Sequence, residues 1–212
     1  MVRLLSYIYP ITKKINSNYN GVLEIIWYRG KKMLDSKNAN FSYGSLEKIL
    51  KIGFKNIDLT SCKNILLLGL GGGNVIKTLQ QEFNYLHNIT AIEIDPVIIN
   101  IAKDEFGIFN SDTVNIICDD AFEFVTNNNE VFDFIIVDIF IDATIPDKFF
   151  NAAFWENLTS ANQILFNAAL HVDNNFRLNN IKSVLEKHHF TITQLDNVNK
   201  TNTLLIAKKT SL

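Results

Sequence analysis

Residues 64–74 read NILLLGLGGGN, a run of apolar side chains followed directly by a glycine-rich turn. Four consecutive apolar residues (65–68) are typical of a strand that is buried on both faces of a parallel sheet. The pattern from residue 75 to residue 83 then predicts a helix. A strand, a glycine-rich turn and a helix in this order predict an α/β fold, and such a turn can hold a ligand through backbone N–H groups at the helix N-terminus.

Strands and helices continue to alternate after this unit. The predicted strands lie at 89–94, 114–117, 132–137 and 163–168. Two further strand-like runs, 190–195 and 203–207, are joined by a short polar link. So short a link forces an antiparallel pair, because a parallel pair needs a crossover of about a dozen residues or more. We therefore expect a mostly parallel sheet with an antiparallel strand at its C-terminal end.

The first 43 residues have a different pattern. Short strand-like runs lie at 7–9, 22–28 and 32–34. Gly30 can take a positive φ in the turn between the last two runs. We expect a small N-terminal β unit over residues 1–43 and a cofactor-binding α/β domain over residues 44–212. Seven basic and two acidic residues give the first unit a net charge of +5, which fits a solvated flank, a basic lip over an acidic site, or a contact with a second subunit.

Composition limits the classes of partner. The chain is 47% hydrophobic and 20% charged, as an ordinary globular protein is. Its net charge of −2 gives no reason to expect nucleic-acid binding, and no apolar run approaches the roughly 20 residues that cross a bilayer, so we expect no membrane partner. Cys62 and Cys118 show no ligand-like spacing, which favours a reducing compartment and no metal site. We expect a cytoplasmic protein.

The glycine-rich turn gains meaning from Glu93, which ends the next predicted strand about 20 residues further on. A carboxylate at that place can accept hydrogen bonds from both hydroxyls of a ribose. Gly69, Gly71 and Gly73 would then let a ligand approach the backbone closely. A turn with a purely structural role uses the same residues, so that alternative stays open.

Three further acids follow two later strands. Asp119 can accept an adenine amino hydrogen while the backbone of Asp120 or Ala121 meets a ring nitrogen; alternatively, Asp119 caps the helix that follows. Asp138 ends the strand after that one. Because the carboxyl ends of parallel strands gather at one crevice, these acids together with Glu93 make the crevice negative. A negative crevice repels a pyrophosphate and attracts a sulfonium cation, so the sequence favours S-adenosylmethionine over NAD.

Four ordered segments together resemble the spermidine synthases and their methyltransferase-like relatives. They are 64–79, 90–102 (TAIEIDPVIINIA), 116–125 and 132–146 (FDFIIVDIFIDATIP). Residues 19–34 are similar to the small N-terminal β unit of that family. The resemblance implies a Rossmann-like class I methyltransferase fold, with a seven-stranded sheet whose last strand is reversed. It also implies S-adenosylmethionine, its decarboxylated form or methylthioadenosine as cofactor and a small-molecule acceptor, and it is compatible with a homodimer.

The sequence departs from the spermidine synthase pattern at three places. Gly72 stands where that family has an acid in the glycine loop. The segment from Asp138 to Asp142 is apolar between its two acids and one residue longer, and residues 43–45 read YGS where the family has Tyr-His-Glu. Aminopropyl transfer needs carboxylates that grip a dication and take a proton from its amine. Half of those groups are missing, which puts polyamine synthesis in doubt.

Three hypotheses about function follow. The favoured one is an S-adenosylmethionine-dependent methyltransferase, in which Asp138 is the base or orients the acceptor and Asp142 is the next candidate for that role. His171, after a predicted strand, is a weaker candidate for the base. The alternatives are an aminopropyltransferase with an altered amine pocket and a non-catalytic nucleoside-binding protein. The sequence does not identify the acceptor.

Overall fold

The computed structural model describes residues 2–37, 45–169, 174–200 and 202–210. The strands are β1 (Ile11–Ser17), β2 (Gly21–Tyr28), β3 (Lys31–Asp35), β4 (Asn64–Leu68), β5 (Asn88–Glu93), β6 (Val114–Cys118), β7 (Phe134–Val137), β8 (Gln163–Ala169), β9 (Phe190–Val198) and β10 (Asn202–Lys209). The α-helices are α1 (Val2–Leu5), α2 (Ser45–Phe54), α3 (Asn74–Glu82), α4 (Pro96–Phe106), α5 (Ala121–Asn127), α6 (Ala152–Leu158) and α7 (Asn174–Lys187).

Seven strands form the main sheet, in the order β6-β5-β4-β7-β8-β10-β9. The pairs from β6 to β8 are parallel, whereas β10 runs antiparallel to both β8 and β9. This confirms the expected class I methyltransferase fold with its reversed last strand. The link between β9 and β10 is shorter than the sequence suggested, because both strands extend further toward each other.

The central strand β4 is buried on both faces, as its unbroken apolar run predicted. Ile65 and Leu67 pack with α2 and α3 in one core cluster, and Leu66 and Leu68 pack with α5, α6 and α7 in the other. This division follows from the alternation of side chains along a strand. Each buried leucine contributes about 1.5–3 kcal/mol to stability, so the two clusters hold β4 and the turn that follows it in a fixed position.

The N-terminal sheet is a separate antiparallel meander with the order β1-β2-β3. Its face with Leu23, Ile25 and Leu34 packs on Ile98 and Ile101 of α4. The sheet lies within residues 11–35, and α2 begins at residue 45. The predicted boundary between residues 43 and 44 falls outside the described residues.

One predicted strand is wrong. Residues 7–9 follow the short helix α1 as an exposed turn, and the first strand is β1 instead. The turn is held by Ser6, whose hydroxyl oxygen accepts a hydrogen bond from the N–H of Gly30 at 2.9 Å. The carbonyl oxygen of Ser6 also accepts from the N–H of Arg29 at 2.8 Å, so this part of the chain is held against the β2–β3 turn and does not enter a sheet ladder. β1 escaped prediction because lysines interrupt its alternation of apolar side chains.

Two lysines of the N-terminal sheet have a partner on the α/β domain. Lys13 and Lys32 both form ion pairs with Glu105 of α4, at 2.9 and 2.8 Å. Lys14 pairs with Glu24 on the neighbouring strand β2. Lys13 and Lys32 of the predicted basic flank therefore bind the small sheet to α4 through ion pairs.

Candidate functional site

The predicted site residues lie at one edge of the main sheet. The four neighbouring strands β6, β5, β4 and β7 are parallel, with Leu68 opposite both Ile92 and Val137. Residues at or just after the ends of these strands therefore share the same edge. They are Gly69, Glu93, Asp119, Asp120 and Asp138.

The glycine loop between β4 and α3 needs its glycines for structural reasons. Gly69, Gly71 and Gly73 have φ values of 97°, 53° and 77°, which side chains rarely adopt. A β-carbon at Gly73 would also lie 2.6 Å from the side chain of Ile108. Gly73 is the N-cap of α3 and donates its N–H to the carbonyl of Leu70 at 2.9 Å.

Glu93 holds the glycine loop in place. Its Oε2 accepts hydrogen bonds from the N–H groups of Leu70 at 3.0 Å and Gly71 at 3.4 Å, and its Oε1 accepts from the N–H of Asp95 at 3.1 Å. Burial raises the pKa of Glu93, and these three donors oppose that rise. The sequence predicted Glu93 at the site but did not reveal this contact with the loop backbone.

The two acids of the predicted adenine segment, Asp119 and Asp120, have different partners in the structure. Asp120, not Asp119, caps α5: its Oδ1 accepts from the N–H groups of Phe122 at 2.8 Å and Glu123 at 3.4 Å. Burial opposes ionisation of Asp120, but the ion pair with Lys148 and the cap bonds outweigh it and lower its pKa.

Asp119 therefore does not act as the helix cap, which was the alternative considered from the sequence. Its side chain is exposed, and its Oδ1 accepts from the N–H of Asp120 at 2.8 Å. Ala121, the first residue of α5, is buried. The crevice is less negative than four free carboxylates would make it, because Lys148 compensates Asp120.

Asp138, at the end of β7, is a second acid at this edge whose pKa is raised. Burial raises the pKa of Asp138 to about 6, and a hydrogen bond from Asn167 partly opposes the rise. The amide Nδ2 of Asn167 donates to Asp138 Oδ1 at 2.8 Å, and Asn202 Nδ2 donates to Asn167 Oδ1 at 2.7 Å. These two successive side-chain hydrogen bonds, from Asn202 to Asn167 and from Asn167 to Asp138, fix the orientation of the Asp138 carboxyl group. A carboxyl group that titrates near 6 is ionised at neutral pH and is suited to accept a proton.

Asp142 has a different environment from Asp138. Its Oδ1 accepts a hydrogen bond from the hydroxyl of Ser36 at 2.5 Å, at the end of the N-terminal sheet. Its φ of 52° and the bridge between Ile141 and Thr144 make the segment a tight turn. The structure thus places Asp142 against the N-terminal sheet.

A group of polar residues that the sequence did not single out connects the N-terminal sheet with this edge. Ser17 and Asn20 both donate to Asp95 Oδ2, the second at 2.8 Å. Asp95 is fully buried and also caps α4 through its Oδ1. Asn20 Oδ1 in turn lies 3.5 Å from the N–H of Asp142. The sequence feature that could have indicated this polar group is the turn SNYNG at residues 17–21. It was interpreted above only as part of a β unit.

Some residues named in the sequence analysis lie outside the described part of the chain, and the expectations about metals, membranes and disulfides concern the described part only. Tyr43, Gly44 and His171 are outside the described ranges. Within those ranges, no group of three or more His, Cys, Asp or Glu side chains could hold a metal ion. No described helix is long and apolar enough to cross a membrane. Cys62 is buried and Cys118 is exposed, and neither forms a disulfide.

Comparison with known proteins agrees with this geometry. Residues 46–203 match the family described as the spermine/spermidine synthase domain. A polyamine aminopropyltransferase of Sulfolobus acidocaldarius is 36% identical over 90 residues, covering 39% of this chain and 29% of that protein. An eEF1A lysine and N-terminal methyltransferase homolog of Drosophila melanogaster is 31% identical over 130 residues, covering 56% and 19%. The matched segments span less than a third of either relative.

Solved structures share the fold. A probable spermidine synthase from Corynebacterium glutamicum superposes with a TM-score of 0.67 at 18% identity, covering 96% of this chain and 78% of that one. Human methyltransferase-like protein 13, solved in complex with SAH, superposes with a TM-score of 0.64 at 20% identity, covering 79% and 83%. Both kinds of transferase thus share the architecture described above.

Proposed function

This chain belongs to the spermine/spermidine synthase domain family, and from that premise we propose that it is a methyltransferase that uses S-adenosylmethionine. The acceptor is a small molecule that binds in the crevice at the carboxyl edge of the main sheet. Asp138 accepts a proton from the acceptor or orients it.

The glycine loop and the acids beside it support the choice of cofactor. Glu93 would accept the ribose hydroxyls, and Asp119 would accept the adenine amino group, with the backbone at Asp120 and Ala121 beside the ring. Gly69, Gly71 and Gly73 leave the loop backbone without side chains where the nucleoside approaches. Two structural neighbours were solved with related ligands: human methyltransferase-like protein 13 with SAH, and a spermidine synthase with the transition-state analogue AdoDATO.

The position of Asp142 is the observation that favours transfer of a methyl group. This second acid of the loop after β7 is turned toward the N-terminal sheet. Asp142 accepts from Ser36, and the residues between the two acids are apolar, with Ile139 buried. Gly72, in the glycine loop, is buried and offers no carboxylate. A diamine dication in such a crevice would have Asp138 as its main counter-charge, and each uncompensated buried charge costs several kcal/mol.

Methyl transfer makes smaller demands on the protein. The lone pair of the acceptor attacks the methyl carbon, the bond from that carbon to sulfur breaks, and S-adenosylhomocysteine leaves as a neutral thioether. The protein aligns the two reactants and removes any proton that the acceptor must lose. With a pKa of about 6, the carboxyl group of Asp138 is mostly ionised at neutral pH and can take that proton.

Aminopropyl transfer is the second candidate, because the matched family is that of the spermine/spermidine synthase domain and several relatives are named polyamine aminopropyltransferases. It would need Asp142 to turn from Ser36 toward a bound amine. A third possibility, a nucleoside-binding protein without activity, would leave the acidic pair Asp138 and Asp142 without a catalytic role.

Product formation tests the proposal. The purified chain is incubated with S-adenosylmethionine carrying a labelled methyl group and with a deproteinised metabolite extract. We expect release of S-adenosylhomocysteine together with label in a small molecule, and loss of both in Asp138→Asn. Binding of the cofactor without any turnover would instead support the nucleoside-binding alternative.

A further inference from the structure

A half-open groove of about 380 Å³ lies between the N-terminal sheet and the helices α2, α3 and α4. Its walls include Trp27 and Lys32 of the sheet, Asn74 and Lys77 of α3, and Phe106 of α4. Helix α4 starts at the carboxyl edge of the sheet, so its last residue, Phe106, lies toward the opposite edge. The groove therefore runs along the helix layer from Phe106 to Asn74, beside the glycine loop, and its lining includes none of the crevice acids Glu93, Asp119, Asp120 and Asp138.

The acids that line this groove already have lysine partners. Glu47 and Glu82 both pair with Lys51, at 2.5 and 2.6 Å. Glu105 pairs with Lys32 and with one further lysine of the sheet. The carboxylates of the groove are thus compensated without any contribution from Lys77.

Lys77 is a partly buried cation with no carboxylate partner in the described part of the chain. Its Nζ lies 5.7 Å from the centre of the Phe106 ring, and the ammonium group of Lys32 lies 5.9 Å from the same centre. Burial and the like charge of Lys32 lower the pKa of Lys77. An anion beside the ammonium group of Lys77 would offset both unfavourable effects.

Asn74 adds a hydrogen-bond donor at the end of the groove nearest the glycine loop. Its amide Nδ2 is buried, and it has no hydrogen-bond partner among the described residues. An unpaired buried donor is costly. Asn74 and Lys77 are three residues apart on α3 and so lie on the same face of that helix.

We propose that this groove binds the oxyanion of a small metabolite, a phosphate or a carboxylate group, through Lys77 and Lys32 with Asn74 as the neutral donor. This binding site is separate from the cofactor and acceptor sites. The proposal does not depend on which group the enzyme transfers.

Calorimetric titration of the whole chain with inorganic phosphate, and separately with citrate, tests the proposal at low ionic strength. Emission from Trp27 gives a second readout, because Trp155 is fully buried in the core and provides a constant background. We expect saturable binding, weakened about tenfold or more in Lys77→Gln because a charged hydrogen bond is lost. Asn74→Asp, which places an acid at the same position, should abolish binding.

The control variant is Lys103→Gln, which removes an exposed lysine from α4 outside the groove. Its affinity should equal that of the unmodified chain. Lys77→Gln should fold normally, because it removes a charge that burial disfavours, and Lys77→Arg should retain binding. Equal losses in Lys77→Gln and Lys103→Gln, or unchanged affinity in Lys77→Gln, would show that phosphate only screens the surface and would overturn the proposal.

Discussion

The carbonyl oxygen of Asp138 lies so close to Gly69 that a β-carbon at residue 69 would overlap it. Gly69 donates its N–H to the carbonyl of Ile92 at 2.9 Å, and Asp138 donates its N–H to the carbonyl of Leu68 at 2.9 Å. The first residue of the glycine loop and the proposed catalytic acid are therefore in direct backbone contact. Any change that moves one of them moves the other.

Gly69→Ala should separate the two residues. Its φ of 97° and the overlap with Asp138 both oppose a side chain. Gly107→Ala is the matched control, since Gly107 has a φ of 70° but open space around it. The control should lose about 1–2 kcal/mol of unfolding free energy, and Gly69→Ala about 1–3 kcal/mol more. Urea denaturation measures both, and equal losses would contradict the contact.

The second prediction concerns Glu93. Glu93→Ala removes the proposed ribose acceptor and the acceptor for the N–H groups of Leu70 and Gly71. Loss of a charged acceptor should weaken S-adenosylmethionine binding roughly 10- to 100-fold. Glu93→Gln keeps one acceptor oxygen, so it should weaken binding less. Calorimetry checks both, with Asp112→Ala as an exposed-acid control; unchanged affinity in Glu93→Ala would refute the assignment.

The third prediction distinguishes two reasons why residue 71 is a glycine: close approach of the cofactor and the positive φ of the backbone. Its φ of 53° would penalise valine whether or not a ligand passes, whereas asparagine tolerates this conformation. Gly71→Asn should therefore fold but bind S-adenosylmethionine at least about tenfold more weakly, since its side chain would occupy the path of the nucleoside. Gly107→Asn, at a φ of 70°, is the control. Normal cofactor binding in Gly71→Asn would leave the loop with only a structural role.

Much of this arrangement could be predicted from local sequence patterns. The buried run before Gly69, the glycines of the loop and the acids at three strand ends follow from the periodicity of strands and the geometry of parallel sheets. The reversed last strand followed from the shortness of its link. These features depend on residues that are close together in the chain.

Contacts between distant segments could not be predicted in the same way. The hydrogen bond between Ser36 and Asp142 joins residues 106 positions apart, and the bond between Asn20 and Asp95 joins residues 75 apart. The sequence offered Asp119 as the alternative cap of α5 and did not consider Asp120, because either of two adjacent aspartates can start a helix. Only the packed structure distinguishes Asp120, which contacts Lys148, from Asp119.

The fourth prediction concerns pH. Burial raises the pKa of Asp138 to about 6, so kcat/KM should rise with pH through about 6 as the base loses its proton. In Asn167→Leu the opposing hydrogen bond is lost, and the midpoint should move to higher pH. Gln163→Leu, which removes another buried polar group of β8, should leave the midpoint unchanged. An unshifted midpoint in Asn167→Leu would exclude Asn167 as a positioning residue.

The same raised pKa predicts a change in stability. The folded chain binds the proton of Asp138 more tightly than the unfolded chain does. The free energy of unfolding should therefore fall as pH rises from about 4 to about 6, by up to about 3 kcal/mol from this group. Asp138→Asn should remove this contribution. Denaturation curves of both proteins at pH 4 and pH 7 measure it, and an equal pH dependence in both would contradict the raised pKa.

The choice of transferred group is tested most directly by competition between two cofactors. The chain receives equal concentrations of S-adenosylmethionine and decarboxylated S-adenosylmethionine, with putrescine, spermidine, other di- and triamines and a metabolite extract as acceptors. Mass spectrometry then quantifies S-adenosylhomocysteine and methylthioadenosine. We expect S-adenosylhomocysteine to accumulate, to disappear in Asp138→Asn, and methylthioadenosine to stay at background. Methylthioadenosine released in equal amount with a longer polyamine would contradict methyl transfer and establish the chain as an aminopropyltransferase.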